Sequence, residues 1–330
     1  MNITYTFSFL SAWLMLSIAA CGSTHQAEDN DADTRVYVEA PTFDADSAYL
    51  YVKSQVDFGP RVPNTPAHVA CGDYLIAQLE RFGAKVYVQE AKLSSYDGKM
   101  LDARNIIGAF KPESKKRIAL FSHWDSRPWA DNDPDTQKHY TPILGANDGA
   151  SGVAVMIELA RVLSADTCRL PVGVDFVCFD AEDWGTEHQS DSWALGAQYW
   201  AKNIKSQMQG KVFRYGILLD MVGGQGARFY QEGFSQYYAK QVVDRVWKAA
   251  STAGYSSFFP QADGGTITDD HGPVNEAGIP CIDIIPYHPE CEASNFGPTW
   301  HTISDDMQHI DPTTLKAVGQ TLLQVLYTER

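Results

Sequence analysis

The stretch Val172-Gly-Val-Asp-Phe-Val-Cys-Phe179 constrains the fold more than any other. It is short, β-branched and aromatic, it is apolar on both alternations apart from Asp175, and it lies between Pro171 and Gly185. Such a run suits an interior strand covered by helices on both faces better than a helix or a half-exposed strand. It ends abruptly in Asp180, Glu182 and Asp183. Three carboxylates within four residues repel one another, and alone they read as a solvated acidic turn. Ligands and catalytic groups of open α/β sheets, however, gather outside the carboxyl ends of the strands, so the position asks for partners from elsewhere in the chain.

Similar segments recur. Ala84 to Gln89, Asn105 to Phe110, Arg117 to His123, Phe213 to Leu219 and Gly278 to Ile285 read as strands. Helices are expected from an Asp44-Ala-Asp46 cap through Val56, from Asn64-Thr-Pro66 through Phe82, and over Val153 to Leu163, Asp191 to Ile204, Phe234 to Ala253 and Thr313 to Tyr327. This alternation predicts one α/β domain over residues 41–330, with a central mixed, mostly parallel sheet flanked by helices. Ser126 to Tyr140 is a long loop whose acids read as a solvated face. Gly145-Ala-Asn-Asp-Gly-Ala-Ser-Gly152 looks like a phosphate cradle, but no Lys follows and the spacing fits neither nucleotide-binding fingerprint.

Leu10 to Ala20 is apolar but too short to span a bilayer, and Ile18-Ala-Ala-Cys21 resembles a bacterial lipoprotein box. The expectation is a signal peptide over residues 1–20, a lipid anchor on Cys21, and a flexible acidic tether over 21–40 that holds the domain on the periplasmic side of a bacterial cell envelope. A plain secretory peptide is the alternative. Removing Cys21 leaves Cys71, Cys168, Cys178, Cys281 and Cys291, an odd number, so at least one stays unpaired. Their spacings match no zinc ribbon, and Cys178 reads as a small buried hydrophobe. The net charge of -15 argues against nucleic acid as a partner and suits cationic groups such as a substrate α-ammonium.

The strand ends and their loops supply His123, Asp125, Asp148, Glu182, Asp183, Asp220, Asp269, Asp270, His271 and His301. Carboxylates with one or two imidazoles are donors for a borderline divalent ion such as zinc. Aromatic walls for a substrate pocket are offered by Trp300, Trp184, Trp193 and Trp129.

His123-Trp-Asp125, Gly145-Ala-Asn-Asp148, Ala181-Glu-Asp183, Leu219-Asp220 and Trp300-His-Thr302, in this order, resemble the zinc-dependent aminopeptidase superfamily. Within it they are most similar to the animal-type glutaminyl-peptide cyclotransferases and their bacterial relatives, from about Asp44 to the C-terminus. The resemblance implies an aminopeptidase-like fold and an acyltransferase acting on peptides and proteins with N-terminal glutamine; a monomer is expected, although the sequence carries no signal for oligomeric state. It implies one zinc per chain, held by Asp148, Asp183 and His301, with Glu182 as general acid/base, Asp220 and Asp269 as further catalytic carboxylates, and Trp300 in the pocket wall. Asp183 departs from the glutamate usual at that position, and Asp283 stands where animal enzymes carry a histidine.

Two other readings stay open. His123, Asp148, Asp183, Asp220 and His301 can fill the two metal sites of an aminopeptidase, with Asp148 bridging and Glu182 activating water. A tethered, non-catalytic metal-binding ectodomain is the third, although a binding module has no need of Glu182.

Overall fold

In the computed structural model residues 39–208 and 211–329 are described, beside Met1. The expected signal peptide, Cys21 and nearly all of the tether lie outside the described residues. A sheet of six strands runs through the body: β1 (Lys85–Ser94), β2 (Met100–Phe110), β3 (Lys116–His123), β4 (Gly173–Phe179), β5 (Val212–Leu219) and β6 (Cys281–Ile284). Their spatial order is β1-β2-β4-β3-β5-β6. β4, β3, β5 and β6 are parallel, while β2 and β1 add an antiparallel margin beyond β4. The expected mixed, mostly parallel sheet is therefore the one that forms.

Side-chain alternation builds a layer on each face. Ile118 and Leu120 of β3, with Val174, Phe176 and Cys178 of β4, join the core under α1 (Ala45–Val56), α2 (Pro66–Arg81), α3 (Ala150–Ala165), α5 (Gly233–Thr252) and α7 (Pro312–Thr328). The intervening Ala119, Phe121, Val177 and Phe179 pack with Trp200 of α4 (Leu195–Met208) and Val274 of α6 (His271–Glu276). Because strand side chains alternate faces, a segment apolar at every position is the one that helices can cover on both sides.

Helix starts follow cap chemistry. The Asp44 carboxylate accepts from the Asp46 and Ser47 amides, and Thr65 accepts from His68 ahead of Pro66. Some boundaries differ from the sequence reading. β1 and β2 run past their apolar segments because ladder hydrogen bonds, rather than burial, carry an alternately exposed hairpin. Residues 190–192 form a separate 3₁₀ turn before α4, and the chain bends at Ala194, whose φ is +56°. The six-residue α6 was not legible in the pattern. Cys71, Cys178, Cys281 and Cys291 are free thiols, so Cys281 and Cys291 do not pair; the side chain of Cys168 lies outside the described residues.

Gly152 lets the first turn of α3 sit directly on the ends of β3 and β5, since a Cβ there would collide with the Leu219 carbonyl and the Ser122 hydroxyl. Gly152→Ala is expected to cost about 1–3 kcal/mol through overpacking, read as a lowered thermal midpoint. An unchanged midpoint would show that α3 can lift off the sheet without penalty.

Candidate active site

The parallel strands deliver their functional groups at one edge. β3 ends in His123 and leads to Asp125, β4 leads to Glu182 and Asp183, and β5 leads to Asp220. Asp148 comes from the loop before α3, Asp269 from the loop before α6, and His301 from the loop before α7. One oxygen each of Asp148 and Asp183 and one nitrogen of His301 lie within 4.8 Å of one another, all buried. The Nε2 of His301 is 3.4 Å from Asp183 Oδ1 and 3.8 Å from Asp148 Oδ2. Asp183 Oδ2 is buried without a hydrogen-bond partner. A buried carboxylate oxygen left unpaired beside a second carboxylate and an imidazole is a donor set that fits zinc, and the shorter arm of Asp183 does not keep it out of the cluster.

Each donor is held from behind. Asp125 accepts from the backbone amides of Glu182 and Asp183 at 3.1 and 3.2 Å, which fastens the acidic turn to the end of β3. Asp305 accepts from the amides of Asn147 and Asp148 at 2.7 and 3.1 Å. The buried Arg61 guanidinium donates to the carbonyls of Trp124, Leu144 and Gly145 and so holds the start of the same loop. Arg127 donates to Asp183 Oδ1 at 3.2 Å and to Asp131 Oδ1 at 2.8 Å, while Asp131 lies 3.5 Å from the Nδ1 of His301. A carboxylate behind an imidazole orients the ring, here aiming Nε2 at the other two donors. Of the loop acids, Asp131 and Asp135 are exposed as expected, while Asp133 is buried and fastens the His301 loop by accepting from Ile303 at 3.1 Å. Asp180, whose oxygens both lie 2.9 Å from His68 Nε2, anchors the base of the turn.

Backbone strain gathers at the same place. Ala181, Met221 and His301 have φ of +54°, +49° and +55°, conformations that non-glycine residues hold only when their surroundings impose them. Here Leu195 donates to Ala181 O at 3.2 Å and Asn132 to His301 O at 3.1 Å.

Proton affinities are set by burial and by mutual repulsion. Burial raises the Glu182 carboxyl well above its usual value; His123 opposes this, and the neighbouring Asp183, Asp269 and Asp270 add to it. Asp220 is pushed up to about 7, first by burial, against its bond to His123 and with Asp269 and Asp148 adding to the rise. His123 Nε2 sits 2.9 Å from Asp148 Oδ1 and 3.1 Å from Asp220 Oδ1, which makes His123, Asp148 and Asp220 a second buried donor group sharing Asp148 with the first. Asp269, which lines the cleft, forms a third such group with His271 and Asp283, which do not.

The cleft itself, about 250 Å³, is lined by Asp148, Glu182, Asp183, Asp220, Asp269 and His301 together with Trp193 and Trp300. The Trp300 ring stacks on His301 at 3.7 Å and Trp193 lies parallel to it at 6.1 Å, so aromatic faces flank the imidazole. Trp184 is a correction to the sequence reading. It is buried with Val62, Leu101 and Ala103, against Trp129 at 5.5 Å, and packs the core behind the cleft rather than its wall. Asp270, His271 and Asp283 are buried below the cleft and do not line it. Residues that sequence reasoning missed are Arg127, Asp305, Met221, Ile285 and Phe296; an Arg two residues beyond Asp125 was the nearest to a signal.

The chain matches Peptidase family M28 over residues 105–326. A crystal structure of Bacteroides thetaiotaomicron glutaminyl cyclase bound to N-acetylhistamine superposes with a TM-score of 0.85 at 57% identity, covering 88% of this chain and 100% of that one. Aminopeptidase YwaD of Bacillus subtilis (strain 168) is 30% identical over 68% of this chain, which spans 44% of the length of that relative. Glutaminyl-peptide cyclotransferase of Bos taurus is 23% identical over 82% of this chain and 78% of its own.

Proposed function

The chain belongs to Peptidase family M28, and from that membership and the geometry of the cleft we propose that it is a glutaminyl-peptide cyclotransferase, which converts N-terminal glutamine of peptides and proteins to pyroglutamate with release of ammonia. The observation that carries the reading is a buried carboxyl, Glu182, lining the same cleft as the Asp148–Asp183–His301 donors, with Trp193 and Trp300 flanking it. The 57% identity to a bacterial glutaminyl cyclase supports it.

Asp148, Asp183 and His301 would hold one zinc ion per chain, which supplies a Lewis acid to polarise the side-chain amide of the substrate. The flat faces of Trp193 and Trp300 confine that side chain so that the α-amine approaches its amide carbon; nucleophile and electrophile belong to one molecule, and pre-folding it removes much of the entropic barrier. As the new C–N bond forms, Glu182 takes a proton from the attacking nitrogen. It returns that proton to the departing amide nitrogen, which leaves as ammonia, and the carboxylate is regenerated. Burial suits Glu182 to this work by raising its proton affinity above that of an exposed carboxylate. Asp220 and Asp269 face the same space and accept hydrogen bonds from the substrate N–H groups.

Incubating the protein with a peptide bearing N-terminal glutamine is expected to yield a lactam and ammonia in equal amounts; free glutamine with a shortened peptide would sink the proposal. A two-zinc aminopeptidase is the second reading, favoured by the additional donor group His123, Asp148 and Asp220.

We also propose that residues 1–20 are a signal peptide, that Cys21 carries a lipid anchor and 21–40 a tether on the periplasmic side, and that 41–330 acts as a monomeric catalytic domain. No described helix is long and apolar enough to cross a membrane. Cys21→Ala is expected to move the protein from the membrane to the soluble fraction; retention in the membrane fraction would exclude the anchor.

A further inference from the structure

A second cavity, of about 670 Å³, opens beside the cleft between α4, the start of α5 and α6. Trp193, Ile267, Thr268 and Asp269 line both spaces, so the two adjoin across these residues. The outer wall of the second is aromatic. Phe234 and Tyr238 pack with ring centres 6.3 Å apart and remain 37% and 47% exposed, and Tyr237, 79% exposed, meets Tyr238 edge-on at 4.7 Å. Large apolar side chains scattered singly on a surface need no explanation, but a contiguous group at the mouth of a cleft marks a binding surface.

This ledge is built to be rigid. Glu232 accepts from the amides of Phe234 and Ser235 at 2.8 and 2.6 Å, and the same carboxylate accepts from the Ile267 amide at 3.1 Å. One side chain therefore ties the aromatic turn to the loop that carries Thr268 and Asp269. Non-helical backbone at Ala239 (φ -141°, ψ 36°) separates this first part of α5 from the remainder, and the His271 ring of α6 stands behind Phe234 at 6.4 Å.

We propose that this groove receives the substrate chain immediately after its N-terminal residue, and that Phe234 and Tyr238 select peptides with an aromatic or large aliphatic side chain at the second or third position. The inference rests on the cyclotransferase reading above. The small cleft takes the terminal glutamine, whose own side chain is consumed in the ring, so the remainder of the peptide must leave along a wall. The wall shared through Trp193 and Thr268 borders the groove that Phe234 and Tyr238 also line, and an extended chain, advancing about 3.3 Å per residue, presents its next side chains along that groove. Burying one aromatic side chain there suffices for roughly a tenfold preference.

The test compares Gln-Phe-Ala amide with Gln-Gly-Gly amide as substrates of the full-length protein and of the double variant Phe234→Ala/Tyr238→Ala. The native protein is expected to show a kcat/KM about tenfold higher for the Phe peptide, and the variant to bring the two values within about twofold. Both side chains are partly exposed, so the variant is expected to keep its circular dichroism and thermal midpoint; if it does not, Tyr238→Ala alone is used, with at least half of the preference expected to go. No preference in the native protein, or a preference that survives in the variants, overturns the proposal. If neither peptide is cyclised, the cyclotransferase reading fails, and the groove is then judged by calorimetric binding of the same peptides, where the tenfold difference and its loss in the variant are again expected.

Discussion

Glu182→Gln is expected to lower kcat for cyclisation by about 10³-fold, within the range that a positioned proton carrier contributes. The substitution keeps the shape of the side chain and its hydrogen-bonding reach in a position only 8% exposed. It removes the capacity to accept a proton from the attacking nitrogen and return it to the leaving one. Because Glu182 is not among the three clustered donors, zinc content is expected to stay at the native level. Ammonia release measures the first quantity and elemental analysis the second. A variant within tenfold of native activity would move the proton-carrying role to Asp220, a further carboxyl of the cleft, which is pushed up to about 7. Loss of zinc together with activity would instead make Glu182 a ligand.

Removing metal with a chelator is expected to cost on the order of 10³-fold or more in rate, since a Lewis acid at a reacting carbonyl contributes several kcal/mol. One equivalent of zinc per chain is expected to restore full cyclisation. Restoration is also expected to raise the thermal midpoint, because a ligand present at a hundred times its Kd stabilises the state it binds by about 2.7 kcal/mol. That second readout separates loss of the ion from loss of the fold. A requirement for two equivalents, accompanied by release of free amino acids, would identify His123, Asp148 and Asp220 as a working second site and favour the aminopeptidase.

The parts of the site that could be read from sequence were those attached to strand ends. Asp125, Glu182, Asp183 and Asp220 each follow a short apolar run by a few residues, so recognising the run placed the acid on the functional edge of the sheet. Asp148 and His301 were legible as candidate polar groups on loops, but their role as zinc ligands came from the family resemblance, since nothing in their local pattern separates a ligand from another loop residue. The supporting groups were not legible. Arg127 and Asp305 act through contacts 56 and 158 residues away in sequence, to Asp183 and Asn147, and no local periodicity reports such a pairing. Trp184 differs for the opposite reason: adjacency to a donor in sequence is not adjacency in space, and its ring packs with Val62, Leu101 and Ala103 instead of the cleft.

Sequence alone determined the class of fold and the edge on which chemistry happens. A segment apolar at every position can be satisfied only by cover on both faces, and the alternation of such segments with amphipathic ones leaves few arrangements. Tertiary structure alone decided which of ten candidate polar groups meet, because packing the loops after β3, β4 and β6 brings three buried donor atoms, from Asp148, Asp183 and His301, within 4.8 Å while leaving Asp270 and His271 below the cleft. It also decided what Glu182 can do. A carboxyl gains proton affinity from burial and from the negative charges around it, and both are properties of the assembled site rather than of the residue.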